Sequence, residues 1–299
     1  MEFRQLRYFL AVAEHLHFTD AATHLGMAQP PLSQQILKLE REIGTPLFIR
    51  HPRRVELTEA GRLFRERARR IIEDTQEAFV EVQNAGRGET GRLLLGFAGS
   101  TVFHPTVAIT MQRYRHAYER VSISCEESNS SLLLDKVAER QLDAALVRMP
   151  LNCRDLMVEP LVDEDMLAVL PANHRLSRRR RINLADLATD PFILFPRPIG
   201  PDLYDSIIAA CQEAGFAPSI GMESPQISSA ANLVAAGFGV AVVPASIRQI
   251  QVESVSYHAL QGNPLSTGIA LIHRPREKSP TVLNFVRILR QQRTVARTR

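Results

Sequence analysis

A short segment between residues 18 and 42 carries polar side chains that could read the edges of DNA bases. Gln29, Ser33, Gln34 and Lys38 share one side of a helical repeat. The opposite side is apolar and contains Leu32, Ile36, Leu39 and Ile43, spaced four, three and four residues apart. An α-helix fits the DNA major groove, where glutamine and serine can hydrogen-bond to base edges. The alternative is a solvated polar face on an ordinary helical hairpin, because short helix-turn-helix patterns have many false matches.

This segment predicts two short helices joined by a tight turn. Thr19 is a plausible N-cap for the first helix, and Gly26 tolerates positive φ where that helix must end. The second helix opens near Ala28. Pro30 and Pro31 fit its first turn, where a missing backbone N–H costs little. The polar side chains would therefore stand at the exposed start of the second helix.

A basic turn follows this pair of helices between residues 46 and 58. Two short apolar runs flank a proline-containing turn, which predicts a small β-hairpin, or wing. We expect Arg50, Arg53 and Arg54 to project from it toward the phosphate backbone or into a minor groove. The alternative is a basic surface turn. A polar helix face followed closely by a basic hairpin favours a DNA-binding domain over residues 1–58.

The next segment, residues 59–89, predicts a long helix that Thr58 can cap. Its apolar residues follow an alternating four-three heptad spacing: Phe64, Ala68, Ile71, Thr75, Ala78, Val82 and Ala85. Such a stripe exceeds what a small N-terminal domain can bury, so we expect the helix to form a homodimer. Packing against the chain's own C-terminal domain is the alternative. A dimer would present two DNA-reading domains to two half-sites.

Beyond a glycine-rich break at residues 86–91, strands and helices alternate to the end of the chain. This rhythm predicts a parallel sheet with helices on its faces. We expect an effector domain over residues 90–299 with two lobes, the first about 90–161 and 268–299, the second about 162–267. The fold class is thus α/β, with a mainly helical winged domain in front. Two such lobes around a cleft can close on a ligand.

Composition narrows the class of protein further. The chain has 299 residues, 45% hydrophobic content and a net charge of +4, which suit two or three domains and permit nucleic-acid binding. No stretch is long or apolar enough to span a bilayer, and no leader precedes the first helix, so we expect a cytoplasmic protein without membrane contact. The three cysteines lie far apart, at Cys125, Cys153 and Cys211. They predict neither a disulfide framework nor a metal site, and reduced thiols are the simpler interpretation.

The chain resembles LysR-type transcriptional regulators over essentially its whole length. The motifs that carry the resemblance are RQLRYF at 4–9, FTDAA at 18–22, QPPLSQQI at 29–36, GTPLFIR at 44–50, LTEAG at 57–61 and LVAAGFGV at 233–240. The resemblance implies a winged helix-turn-helix, a dimerising linker helix and a periplasmic-binding-protein-like (type 2) effector domain. It further implies a homotetramer that switches promoters, contacts RNA polymerase and responds to a small molecule. Ala28 departs from the serine that often caps the recognition helix, which removes a contribution of typically about 1 kcal/mol.

The resemblance also assigns site residues. It places contacts with double-stranded promoter DNA on the recognition helix and the wing: Gln29, Pro30, Pro31, Ser33, Gln34, Arg53 and Arg54. It places the effector on residues from both lobes: Ser100, Thr101, Asn129, Arg148, Phe195, Pro196, Arg197, Ile227 and Ile269. The effector domain looks most like the branch that senses metabolites of aromatic catabolism.

Local chemistry leaves alternatives for several of these effector residues. Ser100 and Thr101 begin a helix whose free N–H groups suit an anion, but they could simply cap it. Arg148 could pair with a ligand carboxylate or be held in a salt bridge. Arg197 could be a second anion partner or lie in solvent. Ile227 and Ile269 are residue types found more often in the core than in a pocket.

The leading hypothesis is therefore a DNA-binding regulator controlled by a small organic anion, either an aromatic acid or its breakdown product. A plain solute-binding protein is the second hypothesis, and the N-terminal DNA reader argues against it. An enzyme is the third. Ser100 and His104 lie four residues apart, but no nucleophile elbow surrounds Ser100 and no third orienting group is evident. We expect neither catalysis nor a cofactor, and His15, His17 and His24 do not form a convincing metal set.

Overall fold

The computed structural model describes residues 1–52, 54–262 and 265–297. These residues divide into two compact units, an N-terminal unit of Met1–Asn84 and a C-terminal unit of Ala85–Arg299. Within the described ranges, none of the helices combines the length and the apolar character needed to cross a bilayer.

The N-terminal unit is a helical domain with one small hairpin. Its elements are α1 (Phe3–His15), α2 (Phe18–His24), α3 (Gln29–Ile43), β1 (Phe48–Arg50), β2 (Val55–Leu57) and most of α4 (Glu59–Arg87). The apolar stripe of α3 is fully buried at Leu32, Ile36 and Leu39, while Ile43 at the helix end is 37% exposed. Phe9 of α1 is also fully buried, with its ring 5.1 Å from that of Phe48. This core fixes α3 against the hairpin.

Local capping agrees with the sequence at two of three predicted positions. Thr58 caps α4, since its Oγ1 accepts a hydrogen bond from the Gly61 N–H at 2.9 Å. Gly26 has φ +66° beyond the end of α2, as a residue after a helix often does. The prediction that Thr19 caps α2 is wrong. The helix begins one residue earlier, at Phe18, with His17 as its extended N-cap residue.

Helix α4 leaves much of its predicted heptad stripe in solvent. Ala68 is buried in the N-terminal core, and Phe64 packs partly against it. Farther along, Ile71 is 41% exposed and Val82 is 72% exposed. Phe79, beside the stripe, is 67% exposed. The first turns of the helix therefore belong to a folded domain, whereas the later turns present an apolar surface.

The C-terminal unit is a mixed α/β structure of two lobes. Lobe I contains β3 (Thr90–Ala98), α5 (Pro105–Ala117), β4 (Arg120–Ser128), α6 (Ser130–Ala138), β5 (Ala144–Met149), the first part of β6 (Met157–Pro171), and, later in the chain, β12 (Ser266–His273) and α9 (Pro280–Arg297). Lobe II contains the end of β6, β7 (Arg181–Ile182), β8 (Pro191–Leu194), α7 (Pro201–Glu213), β9 (Ser219–Glu223), α8 (Ala230–Ala235), β10 (Val240–Pro244) and β11 (Val255–Leu260). Strands pair in the order β4-β3-β5-β12-β6-β10-β8-β9, and β11 pairs with β6 and β7. The prediction of a parallel sheet holds for β4-β3-β5 and β10-β8-β9 but is wrong for β12 and β6, which pair antiparallel with their neighbours because they connect the two lobes.

One uninterrupted strand, β6, joins the two lobes. It pairs with β12 as far as Asp165, opposite Ser266. From Met166 onward it pairs with β10, opposite Pro244 and the preceding residues. The change of partners falls a few residues later than the lobe boundary that we placed after residue 161. The sequence predicted a strand only from Met166, because the first part of β6 contains Pro160 and ends in the acidic run Asp163–Asp165.

The motif at residues 233–240 begins in α8 and ends at the first residue of β10. A Cβ on Gly239 would lie 2.1 Å from the Pro191 carbonyl oxygen, and its φ is +144°. Only glycine fits this approach. The helix predicted over 227–236 is divided into a 3₁₀ turn, Ile227–Ser229, and α8.

Candidate nucleic-acid interface and ligand cavity

Helix α3 presents its polar side outward. Pro30, Pro31 and Gln34 are exposed, and Gln29 and Ser33 are partly exposed. Both prolines lie in the first turn of the helix, which lacks a side-chain cap. Their rings form an apolar tip beside hydrogen-bonding side chains, and such a surface can contact a thymine methyl group and base edges together. The predicted base-reading residues therefore share one accessible face.

A buried carboxylate connects α3 to the hairpin. Glu40 Oε1 accepts hydrogen bonds from the backbone N–H groups of Leu47 and Phe48, at 2.8 and 3.1 Å. Its Oε2 accepts from the Arg50 guanidinium at 2.9 Å. Arg50 also donates to Ser33 Oγ at 3.4 Å and lies 5.1 Å from the centre of the Phe18 ring. The sequence-based expectation that Arg50 projects away to phosphate is therefore wrong, because Glu40 and Phe18 hold it against the recognition helix.

The turn of the hairpin carries the remaining basic residues. Arg54 is exposed, and its guanidinium lies 2.8 Å from Glu56 Oε1. Arg53 lies outside the described residues, so its predicted DNA contact stays a prediction. Arg54 can reach solvent-side anions, since a surface pair of this kind is weak and easily exchanged.

The C-terminal unit has a cavity between its lobes. It lies at the carboxyl ends of β3, β4, β5 and β8, where a ligand of an open α/β sheet is expected. Its lining comprises Ala98, Gly99, Ser100, Ser128, Asn129, Ser130, Arg148, Pro150 and Leu151 from lobe I, and Phe195, Ile199, Gly200, Leu203, Gln226 and Ile227 from lobe II. The structure thus brings together five of the predicted effector residues, namely Ser100, Asn129, Arg148, Phe195 and Ile227.

The cavity is narrow. Its empty volume is about 430 Å³, but the centre of a water molecule can reach only about 30 Å³. The first volume includes space that is open to solvent. The second is far below the roughly 300–1,000 Å³ of small-molecule sites, so the lobes leave little room between them in this conformation. Two contacts span the lobes near it. The Asn152 N–H donates to Asp202 Oδ2 at 2.8 Å, and Ser131 Oγ donates to the Pro198 carbonyl at 3.3 Å.

Arg148 is the centre of a buried network that also joins the lobes. Its Nε donates to Ser100 Oγ and its Nη2 to the Ser100 carbonyl, both at 2.9 Å. Nη2 also donates to Ser246 Oγ at 3.1 Å, and Nη1 forms a short ion pair with Glu164. Glu164 accepts in turn from the Ser246 backbone N–H at 2.6 Å. Of the two alternatives for Arg148, the structure shows the salt bridge.

Side chains that can form hydrogen bonds line the rest of the polar wall. The Ser130 hydroxyl is buried and accepts from the Arg148 backbone N–H at 3.4 Å. Asn129 caps α6, because its Oδ1 accepts from the Leu132 N–H at 2.9 Å, which leaves its amide Nδ2 able to donate. Phe195, Leu203 and other apolar side chains form the opposite wall.

Four predicted effector residues do not line this cavity. Thr101 is fully buried, and its Oγ1 donates to the Ala98 carbonyl at 2.7 Å, so it stabilises the turn. Ile269 is 1% exposed and packs in the lobe I core. Arg197 is exposed and forms two hydrogen bonds with Asp205, at 2.8 and 2.6 Å. Pro196 lies just past the lining residue Phe195 and is not part of the wall.

The chemistry of catalysis is not assembled around Ser100. Burial lowers the pKa of His104, and its Nδ1 accepts a hydrogen bond from the Thr106 N–H at 3.2 Å. Ser100 Oγ instead accepts from Arg148, which does not make it more nucleophilic. Burial also raises the pKa of Cys211 to about 11, so its thiol is protonated at neutral pH. Across the described ranges, no cluster of three or more His, Cys, Asp or Glu could hold a metal ion.

Sequence reasoning missed several residues of both sites. Glu164 and Ser246 complete the Arg148 network, and Glu40 with Arg50 fixes Ser33. Glu164 lies in the acidic run Asp163–Asp165, just before the strand that the sequence predicted from Met166, and such a run also fits a solvated segment. Ser130, next to Asn129, carried a usable signal, because it too follows the carboxyl end of a strand.

Two family models match the chain. The model for "Bacterial regulatory helix-turn-helix protein, lysR family" matches residues 3–62. The model for "LysR substrate binding domain" matches residues 86–294. The two matches flank α4, and together they agree with the two-part organisation and the α/β fold class predicted from the sequence.

Individual proteins give the same result. The chain is 40% identical over 287 residues to the HTH-type transcriptional regulator BudR of Raoultella terrigena, covering 96% of this chain and 99% of BudR. It is 34% identical to AlsR of Bacillus subtilis (strain 168), and the match covers 98% of this chain and 97% of AlsR. Among solved structures, CbnR, a LysR family transcriptional regulator, has a TM-score of 0.86 at 27% identity, covering 97% and 100%. The structure of full-length CbnR complexed with its target DNA has a TM-score of 0.84 at 26% identity, and the match covers 98% of this chain and 99% of CbnR.

Proposed function

The chain belongs to the LysR family of bacterial regulatory helix-turn-helix proteins, and from this premise we propose that a small organic anion in the interlobe cavity controls its action at promoters. It is a DNA-binding transcriptional regulator with an effector-binding domain, and the expectation that it is not an enzyme is confirmed by the family. We place its action in the cytoplasm, with RNA polymerase as a partner at the promoter.

The exposed polar face of α3 carries the DNA side of this proposal. Leu32, Ile36 and Leu39 are fully buried, so the helix cannot rotate to hide Ser33 and Gln34. Side chains held in this way can enter a major groove without rearrangement of the domain. We therefore propose that Gln29, Ser33 and Gln34 read base edges, that the two proline rings contact thymine methyl groups, and that Arg53 and Arg54 contact phosphates.

The apolar surface of α4 supports self-association. Its two halves also differ in charge. The first half carries Arg62, Arg65, Arg67, Arg69 and Arg70, and the second carries Glu73, Asp74, Glu77 and Glu81 with no basic residue until Arg87. Antiparallel pairing of two copies would set each basic half against an acidic half and bury Phe79 and Val82. We propose that dimers form in this way and that two dimers assemble into a tetramer.

The donor-rich wall supports an anionic effector. Ser100, Ser130 and Asn129 converge on one side, and Phe195 and Leu203 lie on the other. An aromatic acid, or a product of its breakdown, combines a carboxylate with an apolar body that suits both walls. Relatives named CatR and ClcR of Pseudomonas putida, at 32% and 30% identity, agree with that branch, while BudR and AlsR leave other effectors open.

The proposal is tested with the purified full chain and the DNA upstream of its own coding region. We expect preference for that fragment over a random duplex of equal length at moderate salt. An effector should raise the melting temperature and change the DNase footprint. Equal affinity for both duplexes, with candidate acids present, would contradict the regulatory role.

Self-association has a separate test by sedimentation velocity. Val82→Glu places a charge in the proposed seam, and we expect dissociation at concentrations where the wild-type chain is associated. Gln83→Glu, one residue away on the same helix, adds the same charge as a matched control. Dissociation of both variants alike, or of neither, would contradict pairing through this face.

A further inference from the structure

The polar wall of the cavity has more hydrogen-bond donors than the protein uses. Ser100 and Ser130 are 4% and 6% exposed, and each hydroxyl accepts a hydrogen bond from Arg148. Within the described part of the chain, neither hydroxyl proton has an acceptor. A buried hydroxyl that only accepts leaves its own donor unsatisfied. These two protons therefore point to a ligand that brings acceptor oxygens, such as a carboxylate.

The same wall offers no spare positive charge. Among the described residues that line the cavity, Arg148 is the one charged side chain. Its side chain is 4% exposed and that of its partner Glu164 is 6% exposed, so the ion pair is desolvated. Four of the five guanidinium N–H donors are directed at Ser100, Ser246 and Glu164. An incoming anion thus meets a neutral, nearly saturated pair rather than a free cation.

A second carboxylate lies close to the cavity wall. A Cβ built on Gly99, a lining residue, would be 2.6 Å from Glu127 Oε1. Glu127 extends from β4, beside the turn that carries Ser100. It adds negative charge near the place where a ligand would bind. Hydroxyl and amide donors can hold one carboxylate under these conditions, but a second ligand carboxylate would find no free cation among the described residues that line the cavity.

We propose that the cavity selects effectors by charge, accepting a molecule with a single carboxylate and an apolar body, and that Glu164 is the residue that excludes dicarboxylates. This inference rests on the proposed function, since it concerns the same cavity. Glu164 acts through Arg148 as a specificity-determining residue, because it neutralises the guanidinium that would otherwise pair with a second carboxylate. Without that negative charge, the cavity would have a net positive charge and would tolerate dianions.

The wild-type chain provides the first measurement, with pairs of acids that differ only in the end group. Butanoate and succinate share a four-carbon chain, and hexa-2,4-dienoate and hexa-2,4-dienedioate share a conjugated six-carbon chain. Butanamide is the neutral comparison for the first pair. Binding to the full chain is followed by calorimetry and by the melting temperature at pH 7.5 and constant ionic strength. We expect each monocarboxylate to bind at least about tenfold more tightly than its dicarboxylate partner and than the amide.

Glu164→Gln provides the second measurement. Glutamine keeps the shape and an acceptor for Arg148 but removes the negative charge. We expect a lower melting temperature without ligand, a larger rise with either class of acid, and a dicarboxylate-to-monocarboxylate affinity ratio that increases at least about tenfold. Glu119→Gln removes a carboxylate from the exposed turn between α5 and β4 and should leave the ratio unchanged.

The outcomes separate this inference from the proposed function. If dicarboxylates bind the wild-type cavity as tightly as monocarboxylates, charge selection is overturned while an anion-controlled regulator stands. If Glu164→Gln weakens both classes equally, Glu164 is a structural partner and its specificity role is overturned. If no acid of either class binds, the anionic effector and the charge selection both fall. If Glu164→Gln does not fold, the wild-type ratios alone decide between charge selection and its absence.

Discussion

Two arginine–glutamate pairs, one in each unit, hold a serine that is predicted to contact a ligand. In the N-terminal unit, Glu40 binds Arg50, and Arg50 donates to Ser33. In the C-terminal unit, Glu164 binds Arg148, and Arg148 donates to Ser100. The chemistry is alike, but the surroundings differ.

The difference is in burial and in what each pair joins. The Arg50 side chain is 34% exposed, and the whole pair lies within one small domain. The Arg148 side chain is 4% exposed, and Ser246 brings lobe II into its network. The first pair orients a reading helix that must stay rigid. The second joins elements of two lobes, and we propose that a bound ligand changes their relative position. The same kind of ion pair therefore acts as a brace within one domain and as a clamp between two lobes.

The largest loss of stability is expected when the buried Arg148–Glu164 pair loses its arginine. Arg148→Met leaves the buried Glu164 carboxylate without its counter-ion, which typically costs about 3–5 kcal/mol. The urea-induced unfolding transition of the effector domain measures this loss. Combining Arg148→Met with Glu164→Met removes both charges and should recover much of the stability. If Arg148→Met alone were as stable as the wild-type chain, the Arg148–Glu164 pair would not be the more deeply buried and energetically more important of the two pairs.

Glu40→Ala is expected to have the next largest effect. It leaves the N–H groups of Leu47 and Phe48 without their acceptor, at about 1–3 kcal/mol for each group that stays buried. The N-terminal unit should unfold earlier and bind operator DNA more weakly, while the melting shift produced by an effector persists. Glu40→Gln keeps an acceptor oxygen and should lose less. Loss of the effector response in Glu40→Ala would show that the pairs are not independent.

Removal of the two serine hydroxyls separates the roles of the pairs. A hydrogen bond contributes about 0.5–1.5 kcal/mol, so each effect should be roughly tenfold or less in affinity. Ser33→Ala should weaken DNA binding and leave effector affinity unchanged. Ser100→Ala should weaken effector binding and leave effector-free DNA binding unchanged. Gel-shift titration measures the affinity of each variant for DNA, and calorimetry measures its affinity for the effector. Weaker effector binding by Ser33→Ala, or weaker DNA binding by Ser100→Ala, would contradict the separate roles of the two serines.

Replacing the exposed arginines by alanine should have the smallest effects. Arg54 and Arg197 each lie beside a carboxylate on the surface of a different unit. Arg54→Ala should weaken binding to all DNA sequences alike and reduce the slope of log affinity against log salt by about 1. Arg197→Ala should alter neither DNA affinity nor stability, because exposed ion pairs contribute about 0–1 kcal/mol. An equal salt slope for Arg54→Ala and the wild-type chain would remove Arg54 from the DNA interface.

The fold was predictable where local pattern decides it. The spacing of Leu32, Ile36 and Leu39 determines which face of α3 is buried, and Thr58 caps the next helix as its residue type indicates. The strand–helix alternation also predicted the two-lobe α/β organisation. At the cavity, Ser100 and Asn129 follow the ends of parallel strands, so their meeting could be inferred from topology.

The remaining parts of the sites depend on partners far apart in the sequence. Arg50 was expected to project toward DNA because nothing near it in the sequence shows that Glu40 and Phe18 will hold it. Glu164 lies in an acidic run that carries no local signal of a buried ion pair, and only the fold brings Ser246 and Arg148 to it. A single sequence shows where a charge is located along the chain but not which distant group neutralises it.

The strand β6 determines how the two lobes can move. Its hydrogen bonds to β12 continue to Asp165, and the Met166 N–H still donates to the Leu265 carbonyl at 3.2 Å. A hydrogen-bonded ribbon twists readily, but sliding one strand along the other would break its ladder and turn side chains to the wrong face. The lobes can therefore rotate relative to each other by twisting β6, whereas sliding along β6 is opposed by its hydrogen bonds. When a ligand leaves, the lobes can therefore return to their earlier orientation without any strand pairing having to form again.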